Sequence, residues 1–139
     1  MNAKEFLMRG RYLEGHIKAL TEHIEYYKNL VNSCSVVYSD IPRSTVKGDK
    51  LEDCTQKIIE LQSILSDDMV DLVRVKCEIS SVIRLMDNFE RQDLLVKRYI
   101  CNKSWDEIAF ELGYSVPYIY RMHGDALKEF SNAREKASK

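Results

Sequence analysis

"CTQKIIELQSILSDDMVDLVRVKCEISSVIRLM", residues 54–86, decides the fold class. Cys54, Ile58, Leu61, Leu65, Leu72, Val75, Ile79, Val82 and Met86 recur at alternating steps of four and three, and Asp68 holds the single polar place in the series. Such spacing keeps side chains on one face of an α-helix, whereas a strand would need alternation every second residue. It is the seam of a coiled coil. Met69 sits beside the break and would take the core place if the seam slipped by one residue. The stretch contains neither Pro nor Gly, so the helix can run unbroken for roughly 55 Å.

Towards the N-terminus, Phe6, Gly10, Leu13, Ile17, Leu20, Ile24, Tyr27 and Val31 repeat the same alternation with one gap at Gly10. This predicts a second helix of roughly 45 Å. Between the two lies "SCSVVYSDIPRSTVKGDK", residues 33–50, rich in Ser, Asp and Gly and holding Pro42. It reads as a connector. Two amphipathic helices joined this way fold back as an antiparallel pair, so residues 1–86 are expected to form a long helical hairpin. A helix pair buries little core for its length, and either a third element or a second copy of the chain is needed to complete it.

Towards the C-terminus the helices shorten. In "DNFE", Asp87 is placed to cap the next helix with Glu90 reaching back to it. "FERQDLLVKRYI" then presents Phe89, Leu94, Leu95, Arg98 and Tyr99 at helical spacing, and "CNK" interrupts it. "SWDE", Ser104 to Glu107, is a second capping box. Its helix turns Trp105, Ile108, Ala109 and Leu112 to one side, and Gly113 stops it as a residue in left-handed conformation. Ser115 caps the third helix, with Pro117 in the first turn, where its missing N–H costs nothing. That helix is expected to reach about Phe130, with Ile119, Met122, Ala126 and Leu127 inward. The sequence therefore predicts an all-α protein: the hairpin over 1–86, then a three-helix unit over 87–139.

Charge and composition narrow the function. The 139 residues are 45% hydrophobic and 31% charged, with five Gly, two Pro and a net charge of −1. No apolar run reaches the roughly 18 residues of a membrane span. The first fifteen residues carry Glu5 and Glu14 and lack the apolar stretch of a secretion signal. Cys34, Cys54, Cys77 and Cys101 are scattered, with no CxxC pair, which suits reduced thiols in a cytoplasmic protein. His16 and His23 share a face but lie too far apart for a metal pair on one helix. Neither a metal nor a cofactor is expected. No nucleophile–base arrangement, carboxylate cluster or phosphate-cradling Gly loop points to an enzyme. Up to Phe89 the chain has 12 Lys and Arg against 14 Asp and Glu; after it, 9 against 8; from Ser115 onward, 5 against 3. The bias has the sign required for a C-terminal DNA contact.

Two short helices joined by a tight Gly turn, the second Ser-capped, form a helix-turn-helix pattern, with Ala109 small enough for a close crossing. In that motif the exposed N-terminal residues of the second helix face the major groove. Here the outward set is Val116, Pro117, Tyr118, Tyr120, Arg121 and Gly124. Arg121 can pair with guanine or, alternatively, with Asp125 four residues on. Val116 suits a thymine methyl. Tyr118 and Tyr120 offer hydroxyls to phosphate or base, or pack against the hairpin. Lys103 and Lys128 are phosphate candidates. His123 is expected to pack near Trp105 or hydrogen-bond locally, and Trp105 to be core.

"WDEIAFELGYSVPYIYRMHGDALKEF" resembles region 4 of the sigma-70 family. The likeness rests on Ile108-Ala109, Leu112-Gly113-Tyr114-Ser115, Ile119 and Ala126-Leu127. The whole chain further resembles a family of small proteins from phages and integrative elements of Gram-positive bacteria, in which a helical hairpin precedes such a unit. "RYI" at Arg98–Ile100, "SW" at Ser104-Trp105, and the Tyr, Arg, Met, His, Ala and Leu residues between Tyr114 and Leu127 carry that likeness. It implies a transcriptional regulator, related to phage regulators of late transcription, and points to Val116, Pro117, Tyr120 and Arg121 as DNA contacts. Nothing here resembles sigma region 2, so a complete sigma factor is not implied. The second helix also has fewer cations than region 4 carries.

The expected partners are double-stranded DNA, RNA polymerase, and a second copy of the chain through the hairpin; a membrane is not among them. Two rivals stand beside DNA reading. One is a protein-interaction module that docks on RNA polymerase without reading bases. The other is a small terminase-like DNA-packaging subunit, which would assemble into rings.

Overall fold

The computed structural model describes the backbone of residues 1–38 and 45–139, and the side chains of 1–33 and 50–139. Every regular element among them is helical: α1 (Ala3–Tyr38), α2 (Thr45–Ile83), α3 (Phe89–Leu95), α4 (Trp105–Leu112) and α5 (Val116–Ser138). α3 passes directly into a π-helical turn, Val96–Ile100. The all-α class expected from the heptad spacing is therefore the observed one. α1 and α2 both extend into the 33–50 connector; its centre, residues 39–44 with Pro42, lies outside the described residues. No helix among the described residues is long and apolar enough to cross a membrane.

The chain divides into two compact units, one of Glu14–Asp71 and one of Met1–Leu13 with Leu72–Lys139. In the Glu14–Asp71 unit, Leu20 and Ile24 of α1 bury themselves against Leu61 of α2, flanked by Tyr27, Ile58 and Leu65. His16 of α1 lies 3.5 Å from Asp68 of α2. As numbers rise along α1 they fall along α2, so the two helices run antiparallel here. The seam does not slip at its polar place: Met69 stays 53% exposed while Asp68 keeps its inward position opposite His16.

The other unit has the larger core. Ala3, Phe6 and Leu7 of α1 and Ile79, Val82, Ile83 and Met86 join Leu94, Leu95, Tyr99, Ile108, Ala109, Ile119, Met122, Ala126, Phe130 and Ala133 in one cluster. The third element that the hairpin lacked is thus supplied, within this unit, by α3–α5. Gly10 sits where α1 approaches closely: a Cβ there would lie 3.7 Å from Ile79 Cδ1 and from the Tyr99 carbonyl oxygen. Phe6 meets Phe130 at 5.8 Å between ring centroids, and Arg9 and Arg134 cover its faces at 4.1 and 4.3 Å. Phe130 and Ala133 are buried, which is why α5 continues to Ser138 instead of ending near Phe130.

The cap of α3 is Asn88, not Asp87: the Asn88 side chain accepts from Arg91 N–H at 3.0 Å. Asp87 is instead drawn to α5, where Glu129 Oε1 accepts from the Asp87 and Asn88 backbone N–H groups at 2.8 and 3.0 Å. Arg91 Nη1 donates to the other Glu129 oxygen at 3.1 Å. Phe89, at helical spacing with Leu94 and Leu95 in the sequence, is 78% exposed, because it occupies the first turn on the far side of the helix from them.

Candidate nucleic-acid interface

Local chemistry sets the frame of the site. Asn102, with φ 57, ends the π-helical turn, and the turn's free carbonyls are met by cations: Arg11 Nη1 donates to Arg98 O at 3.2 Å and Lys76 Nζ to Ile100 O at 2.7 Å. Such a turn breaks the regular backbone ladder, so outside donors help to hold it. Arg98 lies 4.3 Å over the Trp105 ring and donates to Lys103 O at 3.0 Å. This fastens the end of α3 to the start of α4. Trp105 is half-buried against the core.

Ser104 and Glu107 form the expected capping box, and Gly113 closes α4 in the left-handed region at φ 76. The Gly113 and Tyr114 N–H groups both donate to Ala109 O at 3.0 Å. Ser115 then caps α5 by accepting from Tyr118 N–H at 3.3 Å. Ile108 and Ala109 of α4 and Ile119, Met122 and Ala126 of α5 are buried together. The connection is three residues long, residues 113–115, and fixed at both ends, the geometry on which the helix-turn-helix reading rests.

Pro117, Tyr118, Tyr120, Arg121 and Lys128 are exposed along α5. Tyr114 and Tyr118 stack at 4.6 Å, the Arg121 guanidinium lies 5.7 Å from the Tyr118 ring, and the Tyr114 hydroxyl donates to Glu90 at 3.0 Å. Arg121 makes no ion pair with Asp125 among the described residues; its guanidinium faces the neutral Tyr118 ring instead. Tyr120 remains 53% exposed, its ring edge-on to Trp105 at 5.5 Å. Neither Tyr118 nor Tyr120 is buried.

Two candidates are placed differently from expectation. Val116 is half-buried and packs against the core, because the first residue of α5 leans back over the turn. Lys103 is half-buried and hydrogen-bonded to Glu111, which also forms an ion pair with Lys97 at 3.6 Å. The Lys103–Glu111 hydrogen bond raises the Lys103 pKa and lowers that of Glu111. The lysine stays charged, but a carboxylate already answers it.

His123 packs where the sequence placed it. Its Nε2 shares a 2.7 Å hydrogen bond with the Tyr99 hydroxyl, and its ring lies 4.7 Å from Trp105. Burial, followed by the nearby charges of Lys4 and Arg98, pushes its pKa down to about 4. It is therefore a neutral packing group at neutral pH. Sequence reasoning passed over Phe110, which is 89% exposed on α4 with Asp106, Glu107 and Glu111 on the same helix. The signal was present: the inward set of α4 excludes Phe110, leaving a large aromatic residue pointing to water.

Compared with known protein families, curated proteins and solved structures, the chain matches none of them.

Proposed function

We propose that the protein is a DNA-binding transcription regulator of a phage or mobile element, and that α5 reads the major groove with Pro117, Tyr118, Tyr120 and Arg121. The observation that carries this reading is the row of exposed polar and aromatic side chains on the first two turns of a Ser-capped helix, mounted on a packed core behind a tight Gly113 turn. Among the described residues Arg121 pairs with no carboxylate and lies against a tyrosine face, so it can rotate to the N7 and O6 of guanine, a contact worth roughly 1–3 kcal/mol of discrimination. Lys128 serves phosphate. Val116 acts by seating the start of α5, and Lys103 reaches phosphate only when it leaves Glu111. The origin in a phage or mobile element rests on the resemblance to region-4-like phage proteins.

The test is selection from a random duplex library, beside a Tyr120→Ala, Arg121→Ala double variant. An enriched motif that the variant loses supports direct readout. Absence of enrichment would sink stand-alone recognition.

One observation favours the second reading, docking on RNA polymerase. The α4 surface that would approach the DNA backbone in a helix-turn-helix carries the exposed Phe110 with three carboxylates on the same helix. Acidic groups repel phosphate, whereas an exposed aromatic side chain ringed by charge suits a protein surface. A Phe110→Ala variant that keeps duplex binding but loses polymerase would separate the two contacts.

A further inference from the structure

The outer side of α2 carries a second register, out of phase with the seam that packs on α1. Ile59, Ser63, Ser66, Val70, Val73 and Cys77 follow one another at steps of four, three, four, three and four. All six are exposed, and Ile59, Val70 and Val73 are 54%, 67% and 62% open to solvent. None is charged, in a protein where 31% of residues are. Single apolar residues at a surface are ordinary. Six uncharged positions at coiled-coil spacing form a seam.

The order of large and small residues selects the occupant. Read in reverse, the series fits itself: Ile59 falls opposite Cys77, Ser63 opposite Val73, and Ser66 opposite Val70. Each layer then sets a β-branched side chain against a small one, which fills the space evenly. A parallel pair would stack Ser on Ser in two layers and leave them loose. The flanking charges agree with the antiparallel order. In that register Glu60 of one copy lies beside Arg74 of the other, twice by symmetry, and such flanking pairs set partner and orientation. One repulsion is built in: Asp67 falls opposite its own symmetry mate.

We propose that this face of α2 is a self-association surface, on which two copies of the chain pair antiparallel about a two-fold axis at the level of residue 68. The pairing is independent of whether α5 reads DNA. The seam is short, about 27 Å from Ile59 to Cys77, and four of its six layers hold a serine, so the dimer dissociates on dilution.

Sedimentation velocity of the full chain over a wide concentration range tests it. The wild type is expected to pass from monomer to dimer. Val70→Glu should raise the dissociation constant at least tenfold, and Ser66→Glu, which removes no apolar group, should do the same with helicity by circular dichroism unchanged. Asp67→Asn should tighten the pair. A wild type that stays monomeric, or a dimer indifferent to Val70→Glu and Ser66→Glu, overturns the proposal, as do oligomers larger than two. The register has its own test: in an Ile59→Cys chain, oxidation should join residue 59 of one copy to Cys77 of the other. A Cys77–Cys77 bridge instead would mean parallel pairing and overturn the two-fold register.

Discussion

His123 is held 2.7 Å from the Tyr99 hydroxyl and edge-on to Trp105, in a place where a charged imidazole is costly. Burial and the neighbouring Lys4 and Arg98 push its pKa down to about 4, whereas an unfolded histidine titrates near about 6.5. Between those values the unfolded chain binds a proton that the folded chain refuses. Stability therefore rises with pH through this window and is lost as the pH falls from about 6.5 towards 4. Denaturant unfolding across a pH series should show that loss for the wild type, and a His123→Gln chain should lose less over the same interval. An identical pH profile for both chains would mean that the imidazole is not the group responsible. The same residue shows what sequence can resolve at this scale. A histidine two turns into an amphipathic helix, near a Trp in the preceding one, was readable as a packing group. The Tyr99 hydroxyl, 24 residues away, was not. Val116 is the opposite case: at the first position of a helix, periodicity assigns a face poorly, and the side chain is half-buried against the core.

At the scale of elements, the seams of α1 and α2 contain two irregular places, and each carries a prediction. Gly10 leaves a gap in α1. A Cβ there would make only ordinary contacts, at 3.7 Å and beyond, so Gly10→Ala should fill it without strain and gain about 1 kcal/mol from helix propensity. A raised thermal midpoint checks this, and a lowered one would mean that the approach to Tyr99 is tighter than it looks. Asp68 is the converse case. Its Oδ2 is buried without a hydrogen-bond partner among the described residues, and His16, its neighbour at 3.5 Å, is 63% exposed. Asp68→Leu removes an unsatisfied oxygen and completes the seam, and should stabilise the chain by about 1–3 kcal/mol in thermal or urea unfolding. The structure gives the aspartate another use: a single polar layer opposite a histidine fixes register. Seams, the Ser104–Glu107 capping box and the Gly113 stop were legible because each is written within about four residues. The Asn88 cap and the length of α5 were not, because both depend on partners far along the chain, Glu129 for the first and Phe6 for the second.

For the molecule as a whole, charge decides how DNA could be held. With 21 Lys and Arg against 22 Asp and Glu, no broad field draws the chain to a polyanion, and any affinity must come from a few placed cations. Arg121 and Lys128 lie on exposed turns of α5, but Lys103 is answered by Glu111, with Lys97 beside it. In the proposed interface Glu111 would thus withhold one phosphate contact, from the helix that would cross the DNA backbone. Replacing it with glutamine removes the charge at nearly constant shape. Each phosphate neutralised steepens the dependence of log K on log salt by about 0.9, so Glu111→Gln should steepen the slope by close to one and tighten duplex binding most at low salt. The gain should be the same for selected and random duplexes, since a phosphate contact carries no sequence information. Salt titrations of both chains on both duplexes measure all of this. If the slope is unchanged, Lys103 does not face the phosphates, and α4 turns its acidic, Phe110-bearing surface towards a protein instead.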